Sequence, residues 1–144
     1  MVTDFEALFP GLTGTRYQVT SPKNDVYNCI AWAAKDTQVW WWPDPGGQLY
    51  WPAGVQRAEA LSAFREAFES LGYSLCSNDG LEAGFEKIAL FADGQGNPKH
   101  AARQLADGRW TSKLGELEDI EHGLHDLQGA ECGGVVMIMK RLLP

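Results

Sequence analysis

The sequence has few cysteines, a shortage of basic residues and no long hydrophobic run. Its three cysteines are an odd number without a CxxC pair, which argues against a disulfide framework and favours a reducing compartment. Twelve lysines and arginines against nineteen acidic residues give a net charge of −7, so no surface for nucleic acid is expected. No apolar run is long enough to cross a membrane. The first residues lack the segments of a signal peptide, which predicts a cytoplasmic protein unless a dedicated secretion system exports it.

The length and composition predict one globular domain covering residues 1–144. A chain of this length buries enough apolar surface to fold without metals or disulfides, and 44% hydrophobic with 22% charged residues is an ordinary globular composition. A zinc site built from Glu118, His122 and His125 has no identifiable fourth ligand. No metal and no organic cofactor are therefore predicted.

The segment around Cys29 carries the strongest chemical signal. A turn-forming stretch at 21–25 precedes a short predicted helix over 28–36, which Asn24, Asp25 or Asn28 could cap. A thiol at the start of a helix lies near unpaired backbone N–H groups and the positive end of the helix dipole, and both favour the thiolate. His100 lies later in the chain on a strand-like segment. The hypothesis is that Cys29 is a nucleophile and His100 is its base.

The rest of the chain predicts an α+β arrangement. Residues 1–26 form an irregular lead-in with a short edge strand at 17–20, and a helix over 57–71 ends at Gly72. The second half predicts an antiparallel sheet with strands at 86–93, 98–106, 109–114 and 133–141.

A further amphipathic helix is predicted between the last two of those strands. Its apolar stripe would consist of Leu117, Ile120, Leu124 and Leu127. His122 and His125 lie off that stripe, so both are expected to face solvent.

A tryptophan-rich loop covers residues 39–52. The loop contains four tryptophans, and prolines and glycines separate the last from the first three, which is typical of a rigid loop. The four are Trp40, Trp41, Trp42 and Trp51. Two interpretations remain open. The tryptophans pack as a cap over the Cys29 helix, or they form an exposed platform that binds substrate or a protein partner.

The stretch Tyr27-Asn28-Cys29-Ile30 resembles the aromatic-Asp-Cys-Ser signature of papain-like cysteine amidases and peptidases of the NlpC and CHAP types. The segment from His100 through Asp107-Gly108 is similar to their histidine-bearing hairpin. The resemblance covers residues 17–36 and 86–115. It implies a papain-like fold, in which a nucleophile-bearing helix packs on an antiparallel sheet, and a peptide or peptidoglycan-like substrate. Asn28 and Tyr17 are the candidate auxiliary donors for an oxyanion.

The third catalytic residue does not follow the family pattern. Family spacing implies Ser112, and Gln104 is a weaker alternative, although neither is the residue type that the family uses. A two-residue hairpin loop at Asp107-Gly108 would point Ser112 away from His100, whereas a three-residue loop with a bulge would put both on one face. The orienting group could also come from elsewhere, with Asp119 and His122 as candidates.

These features predict a cysteine hydrolase that cleaves an amide bond through a thioester intermediate. Export by a secretion apparatus would make it a delivered cell-wall effector. The alternative is a catalytically degenerate module of the same fold that binds a protein partner through the tryptophan loop. A transferase with the same thiol chemistry is a smaller alternative.

Overall fold

The computed structural model describes residues 4–144, which contain three short α-helices and seven β-strands. The helices are α1 (Asp4–Leu8), α2 (Cys29–Ala33) and α3 (Leu61–Glu69). The strands are β1 (Gln18–Ser21), β2 (Ser74–Cys76), β3 (Phe85–Ala92), β4 (Pro98–Gln104), β5 (Trp110–Lys113), β6 (Asp119–His122) and β7 (Gly134–Leu142). Two 3₁₀ turns cover Pro10–Leu12 and Leu124–Leu127.

All seven strands form one antiparallel sheet in the order β1-β6-β5-β4-β3-β7-β2. Strand β3 lies inside the sheet and is buried along almost its whole length, because its apolar residues are covered on both faces. A small set of helices on an antiparallel sheet confirms the predicted α+β class.

Each face of the sheet has its own hydrophobic core. On one face α2, α3 and the tryptophan loop pack against alternate residues of the central strands; this first core includes Ile30, Phe64 and Ala101. The second core includes Phe91, Ala102 and Ile120. Since neighbouring residues of a strand point to opposite faces, β4 contributes to both cores.

Most predicted elements are present with shifted ends. The four predicted strands correspond to β3, β4, β5 and β7, with ends within two residues of those expected. The predicted helix over 57–71 begins only at Leu61, and Gly72 follows its end with a φ of +97°. The lead-in is less irregular than predicted, because it contains α1 and a 3₁₀ turn.

The predicted amphipathic helix between β5 and β7 is wrong. Its residues form β6 and the 3₁₀ turn at Leu124–Leu127. Ile120 pairs with Ser112 of β5 and belongs to the second core, so its spacing from Leu124 was not a helical repeat. His122 is consequently fully buried and not exposed as predicted, whereas the side chain of His125 is 60% exposed.

Candidate functional site: a buried thiol and a histidine relay

Asn28 fixes the start of the helix that carries Cys29. Its side-chain oxygen accepts hydrogen bonds from the backbone N–H groups of Ala31 at 3.2 Å and Trp41 at 3.1 Å. Its amide nitrogen donates to the Trp41 carbonyl at 2.7 Å. Asn28 therefore caps α2 as predicted and ties it to the tryptophan loop. The prediction that it stabilises an oxyanion is not supported, because its amide is bonded to Trp41.

A cavity of about 390 Å³ is lined by both Cys29 and His100. The two residues approach it from different sides of the sheet. Cys29 packs in the first core with Ala101, whereas the His100 ring lies edge-on to Phe91 of the second core, 5.0 Å away. Among the described residues no hydrogen bond joins the Cys29 sulfur to His100. The two side chains therefore border the same cavity without a hydrogen bond between them.

His100 is the first member of a chain of hydrogen bonds through Ser112 and His122. The Nε2 atom of His100 lies 2.8 Å from Ser112 Oγ, which lies 2.7 Å from Nε2 of His122. The Nδ1 atom of His122 lies 2.7 Å from the carbonyl oxygen of Gly123. The predicted third member, Ser112, therefore contacts His100, and His122 lies directly behind it.

The chemistry of these groups determines where the protons lie. A carbonyl only accepts, so His122 must carry its proton on Nδ1 and present an unprotonated Nε2 to Ser112. The Ser112 hydroxyl donates to that nitrogen and accepts from the Nε2–H of His100. Neutral His100 is then unprotonated at Nδ1. Nδ1 has no hydrogen-bond partner within the described residues, and His100 is one of the residues that line the cavity.

Burial keeps the thiol and the imidazoles neutral. Burial, with a smaller contribution from His122, lowers the pKa of His100 to about 3, and burial lowers the pKa of His122 to about 4. Burial raises the pKa of Cys29 to about 11, although the backbone N–H groups of Ala101 and Ile30 oppose this rise. The thiolate expected at the helix start is therefore not the resting form, because desolvation outweighs the helix contribution.

The hairpin between β4 and β5 explains why Ser112 reaches His100. Arg103 pairs with Thr111 and Gln104 with Trp110, which leaves a three-residue loop at 106–108. The loop ends at Gly108 with a φ of +90°, the left-handed residue of a bulged hairpin turn. Of the two registers left open by the sequence, the three-residue one is confirmed, and it puts Ser112 on the His100 face.

Three other candidate residues are bonded elsewhere. Gln104 donates to the carbonyl of Asp79 at 2.8 Å, and the Tyr17 hydroxyl donates to Glu6 at 2.7 Å. Neither lines the cavity, so the roles predicted for them as third member and oxyanion donor are not supported. Asp119 accepts hydrogen bonds from Thr20 and Tyr27. Its side chain is fully buried and does not orient His100.

Two cavity-lining residues could not be recognised from sequence patterns. Cys132 shares the cavity with Cys29, and burial raises its pKa to about 12. Lys99 lies at the mouth beside His100. Only the tertiary structure brings these residues to the thiol.

The tryptophan loop is mainly a structural cap. Trp41 and Trp51 are each 4% exposed, so the predicted four-tryptophan platform is wrong for these two. Trp42 and Trp51 pack against Phe64 of α3 with ring centroids 5.2 and 5.0 Å apart. Trp40 is only partly exposed. The loop therefore mainly stabilises the first core.

The fold and site define an α+β protein in which Cys29 of α2 and His100 of β4 line one cavity, with Ser112 and His122 hydrogen-bonded in series behind His100. The chain belongs to the family described as Domain of unknown function (DUF7689), which it matches over residues 18–140. No curated protein and no solved structure matches the chain. Within residues 4–144 no helix is long and apolar enough to cross a membrane, and no three potential ligands cluster around a metal position.

Proposed function

We propose that the protein is a papain-like cysteine hydrolase that cleaves an amide bond in a peptide or peptidoglycan-like substrate. Cys29 is the nucleophile and His100 is the general base. The observation that carries the proposal is the relay from His100 through Ser112 to His122, because it leaves Nδ1 unprotonated on a histidine that lines the same cavity as Cys29. A base needs an available lone pair, and the relay leaves one on His100.

The resting state is a neutral thiol beside a neutral imidazole. The pKa of Cys29 is about 11 and that of His100 is about 3, so an ion pair does not form before substrate binds. The thiol proton therefore moves to Nδ1 of His100 while the sulfur bonds to the substrate carbonyl carbon. The backbone N–H groups of Cys29 and Ile30, which already face the sulfur, are placed to donate to the oxyanion.

Collapse of the tetrahedral intermediate completes the acylation half-reaction. The carbon–nitrogen bond breaks, Nδ1 of His100 returns its proton to the leaving amine, and a thioester remains on Cys29. Water then attacks the thioester while Nδ1 accepts its proton, and the proton passes back to the sulfur as the acid leaves. Ser112 and His122 keep the Nε2 proton of His100 in place and fix the ring orientation throughout, and both are positioning residues.

The cavity lining favours a peptide as substrate. Leu114, Leu117 and Phe9 provide apolar contacts, and Lys99, Glu116 and Glu131 provide charges around them. Apolar walls with a few polar groups are typical of a site that takes a side chain and orients the adjacent backbone.

Acylation by p-nitrophenyl acetate tests the chemistry without knowledge of the natural substrate. We expect a burst of one equivalent of nitrophenolate and one acetyl group on the Cys29 peptide by mass spectrometry. Cys29→Ser should abolish the burst, and His100→Gln should slow it about 100-fold. Cys76→Ser is the matched control, because Cys76 lies on β2 away from the cavity, and it should leave the burst unchanged. A burst that survives in Cys29→Ser would refute the proposal.

Cleavage of an amide is a second experiment. Incubation with muropeptides and with a proteome-derived peptide mixture should yield new termini that Cys29→Ser does not produce. A protein that acylates but transfers the acyl group to an added amine, with no release of acid, would be the transferase. A protein that neither acylates nor cleaves would be the degenerate binding module.

A further inference from the structure

Arg103 is a partly buried cation that forms no ion pair with any carboxylate in residues 4–144. Its Nε atom donates to the Trp32 carbonyl at 3.4 Å, and its guanidinium carbon lies 5.2 Å from the centre of the Trp32 ring. Its two terminal nitrogens have no hydrogen-bond partner within the described residues, and they are not fully enclosed. An unpaired guanidinium at this depth is costly, and burial lowers its pKa. Its two free donors therefore face a solvent-accessible space.

That space is a cavity of about 350 Å³ at the C-terminal end of α2, separate from the Cys29 site. Apart from Arg103, its charged lining residues are Lys35, Glu82 and Glu86. The apolar lining residues are Leu81, Ala83, Phe85, Leu105, Ala106 and Leu143. The cavity therefore combines one free guanidinium with an apolar wall.

The other charges at this cavity are already paired. Glu86 is bonded to Lys35 at 2.5 Å and also to Arg141. Glu82 is bonded to Lys140 at 2.7 Å and to Lys87 at 3.3 Å. Each of these two carboxylates is thus ion-paired with two cations.

Lys35 pairs with Glu86 from a strained position. It ends α2 with a φ of +65°, a conformation that usually selects glycine. The backbone cost is tolerated where the side chain neutralises a buried carboxylate. Lys35 is thus ion-paired with Glu86. Among the described residues that line the cavity, Arg103 is the cation that forms no ion pair with a carboxylate.

We propose that this cavity binds a monoanionic organic carboxylate with an apolar body, and that Arg103 holds the carboxylate through its two free nitrogens. A guanidinium fork matches the geometry of one carboxylate. A phosphate dianion fits less well, because Glu82 and Glu86 both line the cavity and would repel its second charge. The apolar wall takes the body of the ligand.

Titration of the full chain with 3-phenylpropionate, followed by ¹H–¹⁵N NMR, tests the proposal. We expect saturable shifts of the Arg103 Nε–H and of the backbone amides of Gly84 and Ala106, with a Kd of about 1 mM or tighter. Phenyl phosphate and 3-phenylpropanamide should bind at least about tenfold more weakly, because one adds charge and the other removes it. Equal binding of the amide, or no saturable shift with the carboxylate, would overturn the proposal.

Three variants locate the site. Arg103→Gln should weaken binding at least about tenfold, and Arg103→Lys about threefold or more because the fork is lost. Ala106→Trp lies on an exposed loop and should block the cavity while leaving Arg103 and the sheet intact. Ala106→Trp therefore tests whether the ligand binds in this cavity even if the Arg103→Gln protein fails to fold. Arg65→Gln on the exposed face of α3 is the matched control. Unchanged binding by folded Arg103→Gln and Ala106→Trp proteins would refute the assignment.

A second titration of the same protein distinguishes a peptide C-terminus from a free small acid as the source of the carboxylate. Acetyl-Gly-Phe presents the same aromatic body and carboxylate as the terminus of a peptide. Tighter binding of this peptide than of 3-phenylpropionate identifies a chain terminus as the ligand, and the reverse identifies a free small acid. Both results support a carboxylate site at Arg103.

Discussion

The Nε2 atom of His100 lies 2.8 Å from the hydroxyl oxygen of Ser112, and both residues are buried. Serine is not an anion, so this contact orients the imidazole without raising its pKa, and the pKa of His100 stays near 3. The site therefore differs from one in which a carboxylate stabilises an imidazolium. The imidazole is held neutral, with its Nε2 proton bonded to Ser112.

The tautomer of His100 is the most direct test of this arrangement. We expect ¹⁵N NMR at neutral pH to show His100 protonated at Nε2 and His122 protonated at Nδ1. Ser112→Ala should let the Nδ1–H form of His100 appear and should slow acylation of Cys29 about 10- to 100-fold. Ser112→Thr keeps the hydroxyl and is the matched control. A Ser112→Ala protein with an unchanged His100 tautomer would show that the relay does not position the base.

Alkylation of Cys29 should be slow at neutral pH. Because burial raises the pKa of Cys29 to about 11, the thiolate fraction and the rate of iodoacetamide labelling should rise about tenfold per pH unit up to that value. Site-resolved mass spectrometry measures the rate, with the more exposed Cys76 as internal comparison. A Cys29 that labels at a pH-independent rate below neutrality would instead indicate a resting thiolate–imidazolium pair.

The two buried histidines should make the protein acid-sensitive. Their pKa values in the folded protein, about 3 and 4, lie below the value of about 6.5 in an unfolded chain. The unfolded state therefore binds protons first, and the free energy of unfolding falls as the pH drops below about 6.5. We expect a loss of about 4 kcal/mol between about pH 7.5 and about pH 5 in urea denaturation.

Histidine variants separate this effect from the titration of carboxylates. His122→Gln should remove about half of the acid-induced loss, since one of the two buried imidazoles is gone. His125→Gln should leave the loss unchanged, because the His125 side chain is 60% exposed. If both variants lose stability in parallel with the unaltered protein over this range, the buried histidines are not the cause.

Asn28 should contribute more to stability than an ordinary helix cap. Asn28→Ala removes hydrogen bonds to Ala31 and to both backbone groups of Trp41 in a site that is 3% exposed. We expect a loss of about 2–3 kcal/mol in the free energy of unfolding. Asn24 is the matched control, because its side chain accepts one hydrogen bond from Val26 in an exposed turn. Asn24→Ala should cost less than about 1 kcal/mol, and equal losses would contradict this account.

Local sequence features determined several parts of this protein. Asn28 before a run of small residues defines the start of α2, and Gly72 ends α3, because capping groups and left-handed glycines act on their immediate neighbours. The apolar run in β3 and the turn residues before β4 and β5 likewise indicate an antiparallel sheet. The pairing of Cys29 with His100 as candidates followed from their places on a helix and a strand.

Other features depended on contacts between distant segments. The stripe from Leu117 to Leu127 fits a helix by spacing alone, and only the pairing of β6 with β5 makes it a strand and buries His122. A single residue in the hairpin loop decides whether Ser112 faces His100. The protonation state of Cys29 could not be determined from the sequence. The helix start favours the thiolate locally, but the desolvation that outweighs this effect arises from the whole fold around the sulfur.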